Sequence, residues 1–396
     1  MTAPAPKIPA VSDRVDRAQP ESSPTALETR VLAALQGVID PELRRPLPEL
    51  DMVGPISVDA SGAASVTIKL TITGCPAAAT IERDVYGAVA SVNGITHTSV
   101  LVTVMTPTER AALTEKLRGG KPKTMQFAAD TLTRIYAVTS GKGGVGKSTV
   151  TANLAVALAA RGLAVGLVDA DVFGFSIPGI LGISGVKPTQ IDGMILPPVA
   201  HGVKVISIGM FVDGNVAVSW RGPMLHRTIQ QFLTDVYFGD LDVLLIDLPP
   251  GTGDVAITLC QLLPHAEVIV VTTPQPAAAE VAERSGTVAR QTGQTVIGVI
   301  ENMTGLIQPD GTTLELFGSG GGDAVAARLS ADQETPVAVL ARIPLSIGLR
   351  AGGDSGHPIV LSDARDAAAA AVIDLAGALA GRSRGLAGRR LGFSVR

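Results

Sequence analysis

Hydrophobic and polar positions fall into two different regimes along this chain. Between residues 25 and 107 the apolar residues follow short amphipathic patterns. Leu27, Val31, Leu35 and Val38 recur at helical spacing, and Ile81, Val85 and Val89 mark a second helix. Val66, Ile68, Leu70 and Ile72 alternate with period two, as do Val100, Val102 and Val104. This predicts a small α+β domain over 25–107. From Arg134 onward the pattern changes to continuous apolar runs separated by helical stretches. The runs are 135–139, 164–168, 205–208, 243–246, 268–271, 296–300 and 337–340. Strands buried on both faces read in this way, so the expectation is a mostly parallel, doubly wound α/β sheet over 131–380. Ligands on such sheets bind at the carboxyl ends of the strands.

The flanking segments lack either pattern. Residues 1–24 carry Pro4, Pro6, Pro9, Pro20 and Pro24 among small and charged residues, which predicts a disordered lead-in. Residues 108–130 contain Gly119-Gly120-Lys121-Pro122-Lys123 and read as a flexible, basic linker. Residues 381–396 form a basic, glycine-rich tail.

Chemistry enters at Ser140-Gly141-Lys142-Gly143-Gly144-Val145-Gly146-Lys147-Ser148-Thr149. The spacing of Gly141, Gly146, Lys147 and Ser148 is that of a phosphate loop, set between a predicted strand and a predicted helix. Its glycines let successive backbone N–H groups converge on phosphate oxygens. Lys147 is expected to neutralise the β- and γ-phosphates of ATP, and the Ser148 hydroxyl to hold Mg²⁺. Further carboxylates stand at strand ends. Asp169 and Asp171 follow the run 164–168, with Asp171 expected to orient the attacking water and Asp169 to serve the metal shell. An Asp capping the next helix is the competing reading for this pair. Asp247 follows 243–246 as the expected Mg²⁺-side carboxylate. The Pro249-Pro250-Gly251-Thr252-Gly253-Asp254 turn beside it could respond to the γ-phosphate. Asn302 offers both a donor and an acceptor to an adenine edge, or serves as a turn former. Arg342-Ile343-Pro344 is placed to line a base pocket through its backbone.

Lys142 changes the class. A phosphate loop needs only the lysine near its end, and one directly after the first glycine is better placed to reach a neighbouring subunit's nucleotide. The loop therefore resembles that of the deviant phosphate-loop ATPases, in which two subunits sandwich two ATP molecules and exchange this lysine. The resemblance sharpens with Ser176-Ile177-Pro178, Trp220-Arg221-Gly222-Pro223-Met224 and Glu301-Asn302-Met303. With these motifs the chain is similar to the Mrp/ApbC-type ATPases, iron–sulfur cluster carriers related to MinD. The N-terminal unit, through Asp40-Pro41-Glu42, Leu70-Thr71 and Gly74-Cys75-Pro76, resembles the small iron–sulfur assembly domain fused to many of them. The resemblance implies an Mg²⁺-dependent homodimeric ATPase with a MinD-like fold that passes iron–sulfur clusters to apoproteins or assembly factors. It implies ATP binding by Gly141 to Thr149, action of Lys142 across the dimer, and adenine contact by Asn302.

One departure qualifies it. Much of the family carries a C-x-x-C pair shortly after the Glu-Asn-Met motif, whereas here the stretch is Thr304-Gly305-Leu306-Ile307-Gln308-Pro309-Asp310-Gly311. The chain's two cysteines are Cys75 and Cys260. Cys260 sits in an apolar helix-like stretch and reads as a core residue. Cys75 precedes Pro76 at a helix start, where a lowered thiol pKa and plain burial are both open readings.

Composition narrows the partners. A net charge of −4 gives no nucleic-acid footprint, two cysteines give no disulfide framework, and no apolar run nears the ~18 residues of a membrane span. A cytoplasmic protein without membrane or nucleic-acid partners is expected. Two rivals stand beside the carrier reading. One is a MinD- or partition-like positioning ATPase using the tail with Arg389 and Arg390, although the tail's glycines weaken any amphipathic helix by ~1 kcal/mol each. The other is a scaffold in which nucleotide only stabilises the dimer.

Overall fold

The computed structural model describes residues 26–119, 126–128, 131–172, 174–211, 222–331 and 335–382. The expected lead-in, the tail beyond 382, and Trp220 and Arg221 lie outside the described residues. The chain divides into two compact units. One takes in residues up to 39, 46–69 and 78–103, and the other takes in 40–45, 70–77 and 104 onward.

The first unit holds α1 (Ala26–Leu35), β1 (Val53–Val58), β2 (Ala63–Leu70), α2 (Ala78–Ala90) and β3 (His97–Val104). The three strands form one sheet in the order β1-β2-β3. Its core is built from the periodic residues: Val31 and Leu35 of α1, Val66 and Ile68 of β2, and Ile81, Val85 and Val89 of α2 are all buried. β2 stops at Leu70, short of Ile72. β1 escapes a count of periodicity because Gly54-Pro55 interrupts it. Pro55 is tolerated because β1 is an edge strand, and its antiparallel register with β2 shifts between Val53 and Ile56.

The stretch read as a flexible linker instead opens with a helix, α3 (Pro107–Arg118). The start signals are local. The Thr106 side chain accepts from the Glu109 N–H, the Glu109 carboxylate accepts from the Thr106 N–H, and Pro107 occupies the first turn. Gly119 ends it in the left-handed conformation.

The large sheet and its helices begin with β4 (Arg134–Ser140), α4 (Lys147–Ala160), β5 (Val165–Asp169) and the short α5 (Ile177–Ile180). A hairpin of β6 (Thr189–Ile191) and β7 (Met194–Leu196) leads to β8 (Val199–Ala200), β9 (Val203–Ser207) and α6 (Gly222–Thr234). Then come β10 (Val243–Asp247), α7 (Asp254–Leu262), β11 (Glu267–Thr272), α8 (Pro276–Gln291) and β12 (Thr295–Ile307). The region closes with β13 (Thr313–Leu314), α9 (Gly321–Ser330), β14 (Ala338–Leu345), α10 (Ile347–Ser355), α11 (Ile359–Ser362) and α12 (Ala367–Gly381).

The large sheet runs β13-β12-β11-β4-β10-β5-β9-β8, with β14 beside β12. Every pairing is parallel except those of β8 and β13 at the margins. Two helix groups cover it: α4 packs with α11 and α12, and α8 packs with α7 and α9. This is the doubly wound arrangement that the continuous apolar runs predict. β10 lies at its centre, and Val243, Leu244, Leu245, Ile246 and Asp247 are all buried. In register, Asp247 stands opposite Val138 of β4 and Asp169 of β5. The central strand therefore ends on a carboxylate at the level where the phosphate loop leaves β4.

Leu245→Ala should cost about 2–5 kcal/mol, since a fully buried leucine between two paired strands leaves a cavity that neither neighbour can collapse into. Urea unfolding followed by circular dichroism measures it. A loss below ~1 kcal/mol would mean that this part of the core repacks.

Candidate functional site

The loop between β4 and α4 is set by close approaches. Gly146, the residue before α4, has φ +80°, a conformation that L side chains avoid. A Cβ on it would also lie 2.3 Å from Asn302 Nδ2. A Cβ on Gly141 would come within 2.2 Å of the Val281 carbonyl carbon in α8. Glycine is required at both ends of the loop, by α8 on one side and β12 on the other. The loop delivers the N-terminus of α4, a 14-residue helix, with the backbone dipole suited to an anion.

Lys147 opens α4 and is 5% exposed. Its ammonium lies 2.8 Å from Asp247 Oδ2 and 3.9 Å from Asp171 Oδ2. Ser148 Oγ donates to the same Asp247 oxygen at 2.5 Å, and the Thr151 hydroxyl is shared between the Lys147 carbonyl at 2.8 Å and Asp247 Oδ1 at 3.1 Å. Asp247 is fully buried, so this ion pair belongs to the class in which removing one partner costs about 3–5 kcal/mol. A hydroxyl and a carboxylate side by side are hard oxygen donors of the kind Mg²⁺ takes, and Ser148 with Asp247 fits that ion.

The aspartate that ends β5, Asp169, and the one two residues beyond it, Asp171, separate. Asp171 lines the loop cavity, and its Oδ1 accepts from the Gly174 N–H at 3.1 Å. Asp169 is fully buried, with Oδ2 accepting from Ser207 Oγ at 2.9 Å and Oδ1 from the Asp171 N–H at 3.2 Å. Burial, then the neighbouring Asp247 carboxylate, pushes the Asp169 carboxyl up to about 8. Thr151, Ser207 and Gln275 are polar partners that the sequence reading missed. Ser207 and Gln275 lie at or just beyond carboxyl ends of strands, so the strand-end rule could have found them. Thr151 lies one helical turn beyond Lys147.

Lys142 is half-buried and donates to Gln275 Oε1 at 3.0 Å. Asn302 lies within β12, not after it, because the strand runs past the expected end at Ile300 to Ile307. Its Nδ2 donates to the Val145 carbonyl at 2.8 Å, so the carboxamide braces the loop. Met303 beside it has φ +62°, and the β12–β14 register shifts between Asn302 and Leu306. Arg342-Ile343-Pro344 likewise belongs to β14.

Two cavities meet here. One, of about 640 Å³, is lined by Ser140, Lys142 to Thr149, Asp171, Pro249, Pro250 and Gly253. The other, of about 750 Å³, shares Gly146, Thr149 and Ser176, and adds Asn302, Met303 and Pro344 among largely apolar walls. The first brings the loop backbone and the Asp171 carboxylate together. The Gly251 N–H donates to the Ser140 carbonyl at 2.7 Å, which ties the proline turn to the base of the loop.

Both cysteines are buried and outside any disulfide. Cys260 Sγ donates to Gln294 Oε1 at 2.7 Å, and burial raises its thiol pKa. Cys75 lies three residues before α2. The segment expected to hold a C-x-x-C forms the end of β12 and its turn into β13, with Ile307, Leu314 and Leu316 about half exposed. Among the described residues no group of three or more His, Cys, Asp or Glu side chains could hold a metal ion, and no helix is long and apolar enough to cross a membrane.

Comparison with known proteins agrees with this geometry. A family model described as NUBPL iron-transfer P-loop NTPase matches residues 131–380, and one described as iron–sulfur cluster assembly protein matches residues 28–102. The iron–sulfur cluster carrier protein of Mycobacterium tuberculosis is 55% identical over 369 residues, covering 93% of this chain and 97% of that protein. That of Synechocystis is 42% identical over 89% of this chain and 96% of its own length. Among solved structures, a nucleotide-binding protein from Archaeoglobus fulgidus in complex with ADP is 36% identical. It covers 59% of this chain and 92% of its own, with a TM-score of 0.50.

The Asp169 carboxyl keeps its proton in the folded chain at pH values where the unfolded chain has released it. Nucleotide- and metal-free protein should therefore lose stability as pH rises from about 4 toward about 8. Asp169→Asn should flatten that part of the profile, as measured by urea unfolding in EDTA at several pH values. An identical pH slope in both proteins would mean that Asp169 is ionised in the fold.

Proposed function

Since this chain belongs to the iron–sulfur cluster carrier family of P-loop NTPases, with an iron–sulfur cluster assembly domain ahead of the NTPase region, we propose that it is a homodimeric, Mg²⁺-dependent ATPase. Its nucleotide cycle would gate delivery of an iron–sulfur cluster to apoproteins in the cytoplasm. The observation that carries this reading is the buried group of Lys147, Ser148 and Asp247 beneath a loop that bears a second lysine, Lys142.

In this proposal the loop N–H groups from Gly141 to Thr149 bind the phosphates and Lys147 bridges the β- and γ-phosphates. Ser148 and Asp247 would hold Mg²⁺, with Asp169 beside Asp247 in the sheet register. Bound Mg²⁺ supplies charge neutralisation on the phosphate oxygens. Asp171, lining the cavity 3.9 Å from the Lys147 ammonium, orients the attacking water. Asn302 spends its N–H on Val145 and turns its oxygen to the exocyclic amine of adenine. Lys142 of one subunit completes the partner's site. The cluster is cargo. A cluster needs about four thiolate-type ligands. Cys260 is sealed in the core by its bond to Gln294. Cys75 is buried as well, so the client or a small thiol must supply most of the ligands.

Lys147→Ala should abolish ATP binding, whereas Asp171→Ala should bind ATP and turn over ~10²-fold or more slowly. Isothermal titration and phosphate release separate the two, and equal loss of binding in both would refute the division of roles.

Lys142→Ala should bind ATP yet hydrolyse it ~10³-fold or more slowly, as loss of a trans-acting cation does. Mixed with Lys147→Ala it should partly recover, because the Lys147→Ala subunit still offers Lys142 to its partner's nucleotide. No recovery despite proven mixed dimers would place Lys142 in cis. Anaerobic reconstitution with iron, sulfide and a small thiol to supply the missing ligands should load stoichiometric cluster per dimer. No bound iron, with or without ATP, would remove cluster carriage and leave the ATPase standing.

A further inference from the structure

The lysine proposed to cross into the partner is already engaged within its own subunit. Lys142 Nζ donates to Gln275 Oε1 at 3.0 Å. Gln275 occupies the N-cap of α8, where a side-chain oxygen ordinarily accepts from the first free N–H groups of the helix. Here the side chain makes no capping hydrogen bond. Its oxygen accepts from Lys142 instead.

The acceptor stands on stiff backbone. Pro274 precedes Gln275 and Pro276 follows it, and a residue before proline is confined to extended conformations. Gln275 shows φ −62° and ψ 129° accordingly. The loop is packed against the same helix, with Gly141 pressed on the Val281 backbone and Ser285 Oγ donating to the Ser140 carbonyl at 3.4 Å. Loop and acceptor are one packed block, so breaking the bond requires movement of only the Lys142 side chain.

We propose that Gln275 is a positioning residue that retains Lys142 in the undimerised subunit, so that dimerisation on ATP must first release this hydrogen bond. The inference rests on the trans role of Lys142 proposed above. A neutral amide suits the task. It gives the ammonium a partner, yet it carries no charge to compete with the phosphates of a partner's ATP. A carboxylate at this position would compete.

The test measures turnover against protein concentration, with saturating ATP and Mg²⁺, for the wild type, Gln275→Ala and Gln275→Glu. Gln275→Ala should lower the concentration of half-maximal turnover by about tenfold or more, since each of the two subunits releases a hydrogen bond to a charged group, with saturating kcat unchanged. Gln275→Glu should raise that concentration by at least as much. A merely structural role would move both variants the same way, and that result overturns the proposal. ATP-dependent self-association in the Lys142→Ala background, read by sedimentation velocity, should be indifferent to Gln275→Ala. A persisting shift there would also overturn it. Mixed dimers of Lys142→Ala and Lys147→Ala test the trans role without touching Gln275, so failure of that reading is seen separately.

Discussion

The ion pair between Lys147 and Asp247 is the constraint around which the rest of the site is arranged. Asp247 ends the central strand of a sheet covered on both faces, and no water reaches it. A bare carboxylate there would be untenable. It is compensated by the ammonium of Lys147 and by two hydroxyls, Ser148 and Thr151, all from the first turns of α4. α4 can meet that demand in one position only, with its N-terminus directly over the end of β10. The phosphate loop is then the shortest path from β4 to that position, and its close turns leave room only for glycine at Gly141 and Gly146.

A second carboxylate beside the first sharpens the electrostatics. Parallel register puts Asp169 next to Asp247, and both are cut off from solvent. One positive charge from Lys147 does not balance two negative ones. Burial and the neighbouring Asp247 carboxylate push the Asp169 carboxyl up to about 8, while hydrogen bonds donated to its two oxygens by Ser207 and the Asp171 backbone work in the opposite direction. A site in this condition gains from an incoming cation, which is the electrostatic setting for the Mg²⁺ and nucleotide chemistry proposed here. Asp171 stands apart at the cavity wall, so the two aspartates of a short motif occupy different environments.

Strand ends on the other side of the loop brace it. Asn302 of β12 holds the Val145 carbonyl, and Gln275 just beyond β11 holds Lys142. The same strand, β12, continues past Asn302 through the left-handed Met303 into a hairpin with exposed apolar tips. That hairpin carries no thiol.

The amino-acid sequence was legible wherever burial imposes a simple pattern. Strands covered on both faces appear as unbroken apolar runs, so the doubly wound sheet, the loop, Asp169, Asp171 and Asp247 could be placed in order without coordinates. Local signals were legible too, although the Thr106 and Glu109 capping box that starts α3 was passed over in favour of the glycines that follow it. Elements that break the pattern were hidden. Pro55 concealed β1, and Glu301-Asn302 concealed the continuation of β12, because a polar residue in a strand looks like its end. What only the tertiary structure decided were the partners: Thr151 and Ser207 for the carboxylates, Gln275 for Lys142, Val145 for Asn302. Each joins segments far apart in the chain or residues one turn apart on a helix. Such pairings follow from sheet register and from the cost of leaving a buried charge unpaired, and those come into being only when the strands are laid side by side.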